Sequence, residues 1–407
     1  MENVVVRRWI KIAIFNLFLV AVIGTMLRYK IAFSLPFIDQ KKLLHGHSHF
    51  AFSGWVSLAV MVLMVDYLSR ELQRDFFASY KWLLGLQLFS AYAMMIAFPI
   101  QGYAFFSILF STLSVFVSYF FTVKYRKDMK LLNTDAVTPY WFSSALLFNV
   151  FSSLGTFVLA YMMANKIAHQ HWYLGAIYFY LHFQYNGWFF FGCMGLLNEK
   201  MEQAGVQRAA LKRVWLLLTV ACVPAYFLSV LWLKMSPYLY AGIVLTGLVQ
   251  LYAWWKVIRI LSGAAVRQQL RLPAVSQWLL LFSGIALSIK FALQAASTIP
   301  ALGQWAFGFR PIIIAYLHLV LLGVITLFLV GYLLAYGYLR ISKTAIAGVV
   351  IFVTGIIANE LLLMIQGIAS IDYNSIPHTN EWLLLAAIVM ATGIFTLWIA
   401  QFSSRNK

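Results

Sequence analysis

His49-Phe-Ala-Phe-Ser-Gly54-Trp55, His182-Phe-Gln-Tyr-Asn-Gly187-Trp188 and His318-Leu-Val-Leu-Leu-Gly323-Val324 align without gaps, and Tyr-Leu precedes both His182 and His318. The three histidines are separated by 133 and 136 residues. Self-similarity at a fixed spacing marks a chain built from repeated units, so what surrounds each copy decides the fold. Each copy lies in an apolar run long enough to cross a bilayer, which takes about 20 residues. Twelve such runs are present, at about 9–33, 44–68, 79–98, 102–124, 138–163, 168–197, 209–232, 236–260, 274–297, 311–337, 343–366 and 381–402. The histidines fall on the second, sixth and tenth. The chain therefore reads as one all-α integral membrane domain, 1–407, of twelve transmembrane helices in three pseudo-repeats of four, about 1–133, 134–270 and 271–407.

Composition agrees. Of 407 residues 63% are hydrophobic and 10% charged, far from the usage of soluble domains and suited to a chain solvated by lipid. A net charge of +18 would suggest nucleic acid in a soluble protein, but the cations sort by topology. One set of alternate connections receives 22 of the 30, from Arg7, Arg8 and Lys11 through Arg70 and Lys200 to Arg405 and Lys407. The other set receives seven, and Lys290 lies within the ninth helix. The positive-inside rule then makes both termini cytoplasmic, in a multi-pass chain of a bacterial inner membrane, and removes nucleic acid as a partner. The first helix follows Arg7, Arg8 and Lys11 like a signal peptide, yet no small-x-small cleavage site follows, so it reads as a retained anchor. Cys193 and Cys222 both lie in apolar runs and form no Cys-x-x-Cys motif.

With this topology all eight histidines fall in the outer half of the membrane or at its outer edge. A single intramembrane histidine is ordinarily a packing residue hydrogen-bonded to a carbonyl; three at equivalent helices point instead to ligation. A neutral imidazole binds a metal through one nitrogen while its other N–H goes to an acceptor. His49 and His318 are matched in depth and are the expected axial ligands of one b-type haem; His182 lies about two turns deeper. Residues i and i+2 differ by about 200° around a helix, so His47 and His49 face opposite ways and can serve different cofactors. His45 and His49, at i and i+4, share a face and can hold a metal together. Lys290 and Glu360 are single charges inside apolar runs, expected to pair with each other or, for Lys290, with a haem propionate. Asp66 ends the second helix and is expected to be solvated.

Gly46-His47-Ser48-His49-Phe-Ala-Phe-Ser-Gly54-Trp55 resembles the Gly-His-x-His-x4-Gly motif of the catalytic subunit of haem-copper oxidases, especially C-type oxidases and nitric oxide reductases. That resemblance implies an oxidoreductase with a b-type haem between helices 2 and 10, a possible second haem or metal site flanked by His47 and His182 with Tyr185, and a quinol or cytochrome electron donor among further membrane subunits. The paired motif stands here on helix 2 rather than 10. The chain also has no His-His pair and no His-Pro-Glu-Val-Tyr-type sequence, so a complete copper site is not expected. Leu317-His-Leu-Val-Leu-Leu-Gly323 is similar to a stretch of twelve-helix membrane haem proteins of the nitric-oxide-tolerance (NnrS) type, an alternative reading. A membrane transporter, of metal through the His45, His47 and His49 region, is the rival class.

Overall fold

The structure is a computed structural model and describes residues 4–402; Arg405 and Lys407, counted above among the cations of one side, lie outside them. The described residues form helices and no strands. Long antiparallel helices are α1 (Val4–Ala32), α4 (Phe77–Gln101), α5 (Phe105–Met129), α6 (Thr138–Ala164), α10 (Pro237–Leu261), α12 (Ala274–Ala296), α16 (Lys343–Ile371) and α17 (Thr379–Ile399). Three further helices carry the repeated motif, each in two α-helical parts flanking a π-helical stretch. They are α2 (Gln40–Phe50) and α3 (Leu58–Glu71) around Ala51–Ser57; α7 (Gln170–His182) and α8 (Phe190–Gln203) around Phe183–Phe189; and α14 (Arg310–His318) and α15 (Leu327–Ala335) around Leu319–Thr326.

Ten of these helices are long and apolar enough to cross a membrane, so the chain is a multi-pass membrane protein. The sixth and seventh expected spans are not among the ten, for different reasons. The α7–α8 helix is long, but His182, Gln184, Asn186 and a run of tyrosines lower its hydropathy. The seventh run breaks: α9 (Arg208–Cys222) stops before Pro224, and Pro224–Ser229 continues as a 3-10 turn. Proline lacks the N–H and clashes with the preceding turn, which ends the regular helix. Two short helices, α11 (Ala264–Leu270) and α13 (Pro300–Gly308), complete the chain.

The motif helices form the centre. In α2–α3, 94% of the most apolar window is buried, against 22–44% in the other nine spans. α8 and α15 are buried along nearly their whole length as well. The remaining helices wrap this centre and turn one face outward, leaving an apolar exterior that includes Phe89, Phe120, Leu147, Leu245, Val350 and Leu385. Close wrapping uses glycine where two backbones meet. A Cβ on Gly393 would stand 2.4 Å from the Phe352 nitrogen, and one on Gly348 2.6 Å from that of Leu397. α16 and α17 thereby pack at small-residue contacts, as membrane helices without a hydrophobic driving force between them commonly do.

Each π stretch begins within two residues of a repeated histidine and contains the repeated glycine. A π turn spaces its carbonyls for i→i+5 bonding and frees some from the α-helical ladder; such turns concentrate at functional sites. Neighbouring helices satisfy the freed carbonyls. Asn16 Nδ2 donates to Gly54 O at 2.6 Å, Gln87 Nε2 to Ser53 O at 3.0 Å and Ser283 Oγ to Val324 O at 2.8 Å. The stretches are also tied to one another. Trp55 Nε1 donates to Thr326 Oγ1 at 3.0 Å, and Trp188 Nε1 donates to Ser57 Oγ at 3.0 Å. Both links join the position six residues after a repeated histidine to the position eight after another. At the third such pairing the tryptophan is replaced by Val324 and the hydroxyl by Phe190, so donor and acceptor disappear together. The repeat thus keeps the polar link at two of its three pairings.

Candidate functional site

The motif helices close against one another only at one end. Their second halves are buried, but every described residue from Ile312 to Leu319 is half-buried, and in α7 only Ala176 and His182 are buried. The central helices are therefore more loosely covered where α2, α7 and α14 run than in their second halves, and the repeated histidines end these looser parts.

His318 has a defined tautomer. Its Nδ1–H donates to the Ile314 carbonyl one turn earlier at 2.9 Å, which assigns the lone pair to Nε2, and no protein group among the described residues takes it. The charges nearest in influence on His318 are Arg28 on α1 and His47 on α2. His47 lies against α1, where its Cε1 would be 3.2 Å from a Cβ placed on Gly24, so a larger residue there would crowd the ring. The Val20 backbone is within hydrogen-bonding reach of this ring, and His47 Nδ1 is buried without a partner. A buried nitrogen with an unused lone pair is costly unless something fills it. His47 and His318, on two helices, are thus near enough to influence one another, each has an unused ring nitrogen, and Arg28 is close to both.

This differs from the expected pairing of His49 with His318. His49 turns to α4: its ring stacks on Phe98 at 4.4 Å and 11°, and Nε2 meets the Tyr103 hydroxyl at 3.3 Å. The opposite orientation of His47 and His49 holds, but His47 is the one on the His318 side. His182 is also corrected. Its Nε2–H donates to the Cys222 carbonyl at 2.9 Å, and its Nδ1 accepts from Asn186 Nδ2 at 3.1 Å. With both nitrogens used, it is a packing histidine that replaces the backbone bond lost where α9 ends. Tyr185 is buried on the same stretch and turns to Ser229. His45 remains beside His49, with its ring 4.7 Å from that of Tyr103.

Nor do Lys290 and Glu360 pair. Glu360 accepts from Asn359 Nδ2 at 3.1 Å, and its charged neighbour is Arg28. Lys290 is 3% exposed, lies over Phe291 at 4.2 Å, and has Cys222 and His182 rather than a carboxylate about it. The two residues point into different interfaces. No group of three or more histidine, cysteine, aspartate or glutamate side chains with metal-binding geometry forms among the described residues.

At the opposite end the central helices are locked by an ionic cluster that the sequence reading missed. Asp66 is 2% exposed rather than solvated. It accepts from Arg70 Nε at 2.8 Å and from the Tyr338 hydroxyl at 2.5 Å. Arg70 also grips both carboxylate oxygens of Glu199, which takes Lys200 Nζ and Gln203 Nε2 at 3.1 Å each. Tyr332 reaches the same carboxylate at 3.4 Å. All three motif helices contribute. Spacing offered one signal, Asp66 and Arg70 at i and i+4, but the cross-helix partner is set only by tertiary packing.

No protein-family model matches the chain, and no curated protein matches it.

Proposed function

We propose that this chain is a twelve-helix haem protein of a bacterial inner membrane that carries electrons through one b-type haem held between His47 and His318. The observation that supports it most is two neighbouring imidazoles on two helices, each with an unused nitrogen, with the His318 tautomer set by Ile314. The donor set fits the group. Neutral nitrogens suit iron, the carbonyl bond of the second ring nitrogen orients the ligand and raises its basicity, and Arg28 offers a cation to the propionates. The half-buried apolar walls of α7 and α14 suit a macrocycle that must be kept from bulk water. Bound there, haem would supply a one-electron redox couple.

Two histidines on one iron leave no coordination position for a gas. This ligand set therefore favours electron transfer over oxygen or nitric oxide chemistry, and the oxidase-like reading narrows to a redox relay. Chain residues then have separate tasks. His47 and His318 hold the metal, Gly24 makes room for His47, Arg28 balances propionate charge, and the cluster around Arg70 keeps the central helices in register. The α7–α8 helix, central yet too polar for the ten, and the α9 segment with its 3-10 extension complete the twelve. Cation placement supports an orientation with the Arg70 end cytoplasmic and the histidine end outside.

Pyridine haemochrome assay of the purified full-length protein tests this. About one haem per chain is expected for the wild type and for His49→Ala, with haem lost from His47→Ala and His318→Ala. Wild-type protein made in haem-replete cells and purified without haem would overturn it.

A further inference from the structure

On the face of α2 opposite His47, two donors adjoin and a third side chain packs beside them, none of them used by the redox reading. We propose that His45, His49 and Tyr103 form a second metal site, for a divalent first-row ion that prefers imidazole, Cu2+ or Zn2+. His45 and His49 are one helical turn apart on α2, so their rings project to the same side. His45 Nε2 is buried and makes no hydrogen bond. His49 Nε2 and the Tyr103 hydroxyl are 3.3 Å apart. Metal–nitrogen bonds of about 2.0–2.1 Å with tetrahedral angles set neighbouring donors about 3.3–3.4 Å apart, so this spacing accepts a metal between them without rearrangement.

The surroundings hold these groups in place. Phe98 stacks on His49 and fixes its ring plane, while the Tyr103 ring meets Phe98 and His45 edge-on at 5.0 and 4.7 Å. Tyr103 sits in the tight turn between α4 and α5. There Gly102 has φ +68, a value that favours glycine, and its would-be Cβ faces Lys42 at 3.4 Å. Ser107 closes the turn by accepting from the Ala104 N–H at 2.9 Å and donating to the Gly102 carbonyl at 2.5 Å. Two imidazoles and one phenol supply three ligands. The fourth position of a tetrahedral site would be left to water or an exchangeable ligand. Binding would transfer the Tyr103 phenolic proton to solvent and leave phenolate on the metal, so affinity would rise with pH.

The site stands independently of haem, and its test reads no haem signal. Purified full-length protein is titrated with Zn2+ and with Cu2+, and the Cu2+ form is examined by electron paramagnetic resonance. Expected are one tight equivalent, hyperfine splitting from two nitrogens and a phenolate-to-copper absorption band. His45→Gln with His49→Gln should weaken binding at least 100-fold. Tyr103→Phe, which keeps both rings and the fold, should weaken it about tenfold and abolish the band. Metal binding that survives in the double histidine variant, a Cu2+ spectrum without nitrogen splitting, or no binding below millimolar metal would each overturn the proposal.

Discussion

Replacing Arg70 by methionine should destabilise the protein more than any other single change at its polar positions. Its guanidinium satisfies two carboxylates at once. Asp66 and Glu199 have side chains only 4% and 3% exposed, while Arg70 itself is 34% exposed. Asp66, Glu199, Arg70 and Lys200 together are neutral, and the substitution leaves a net buried negative charge. Breaking a buried pair by removing one partner costs about 3–5 kcal/mol. The lower half of that range applies, because Lys200, Gln203 and Tyr332 still serve Glu199 and the arginine is partly wet. Asp66 suffers more, keeping only Tyr338. Cys193 and Cys222 are buried, so a thiol-reactive fluorophore in detergent reports unfolding directly. The apparent melting temperature should fall by several degrees in Arg70→Met. Arg70→Met with Asp66→Asn, which restores neutrality and leaves Glu199 with Lys200, should recover most of that loss. A wild-type melting temperature in the single variant, or a double variant as unstable as the sum of its parts, would refute the reasoning.

Three further outcomes follow from the site. His182→Ala removes two buried hydrogen bonds and leaves a cavity, so thermal stability should drop by about 2–4 kcal/mol while haem per chain is unchanged; haem loss at full stability would restore His182 as a ligand. Gly24→Leu fills the space of the His47 ring, and haemochrome assay should find haem depleted in that variant and retained in Gly24→Ser at a reduced level. Lys290→Met replaces an unpaired buried ammonium by an apolar chain of like shape. It should melt at the same temperature or higher, by about 1–2 kcal/mol, since burying an unpartnered charge is unfavourable; a marked loss would mean that Lys290 has an anionic partner.

The position of each long helix along the chain was legible in the sequence, whereas direction around each helix was not. Apolar length placed the long helices to within a few residues, and the recurrent histidines marked the helices that turned out to be central. Helical periodicity separated His47 from His49, but which of them faces α14 depends on how α2 is rotated against α1, a tertiary fact. Lys290 and Glu360 failed to pair for the same reason. The π stretches carry a residual signal in the fixed histidine-to-glycine spacing, though widened turns have no side-chain code of their own. Asp66 looked solvated because it ends an apolar run near cations; its burial follows from the central position of its helix. Pro224 was visible all along, and the apolar run around it concealed the break.

Low-temperature electron paramagnetic resonance of the oxidised, purified protein tests the axial pair most directly. A low-spin ferric signal with bis-histidine g values is expected, preserved in His49→Ala and converted to another spin state or lost in His47→Met and in His318→Met. A high-spin wild-type signal, or one that depends on His49 and not on His47, would contradict the assignment of haem to His47 and His318.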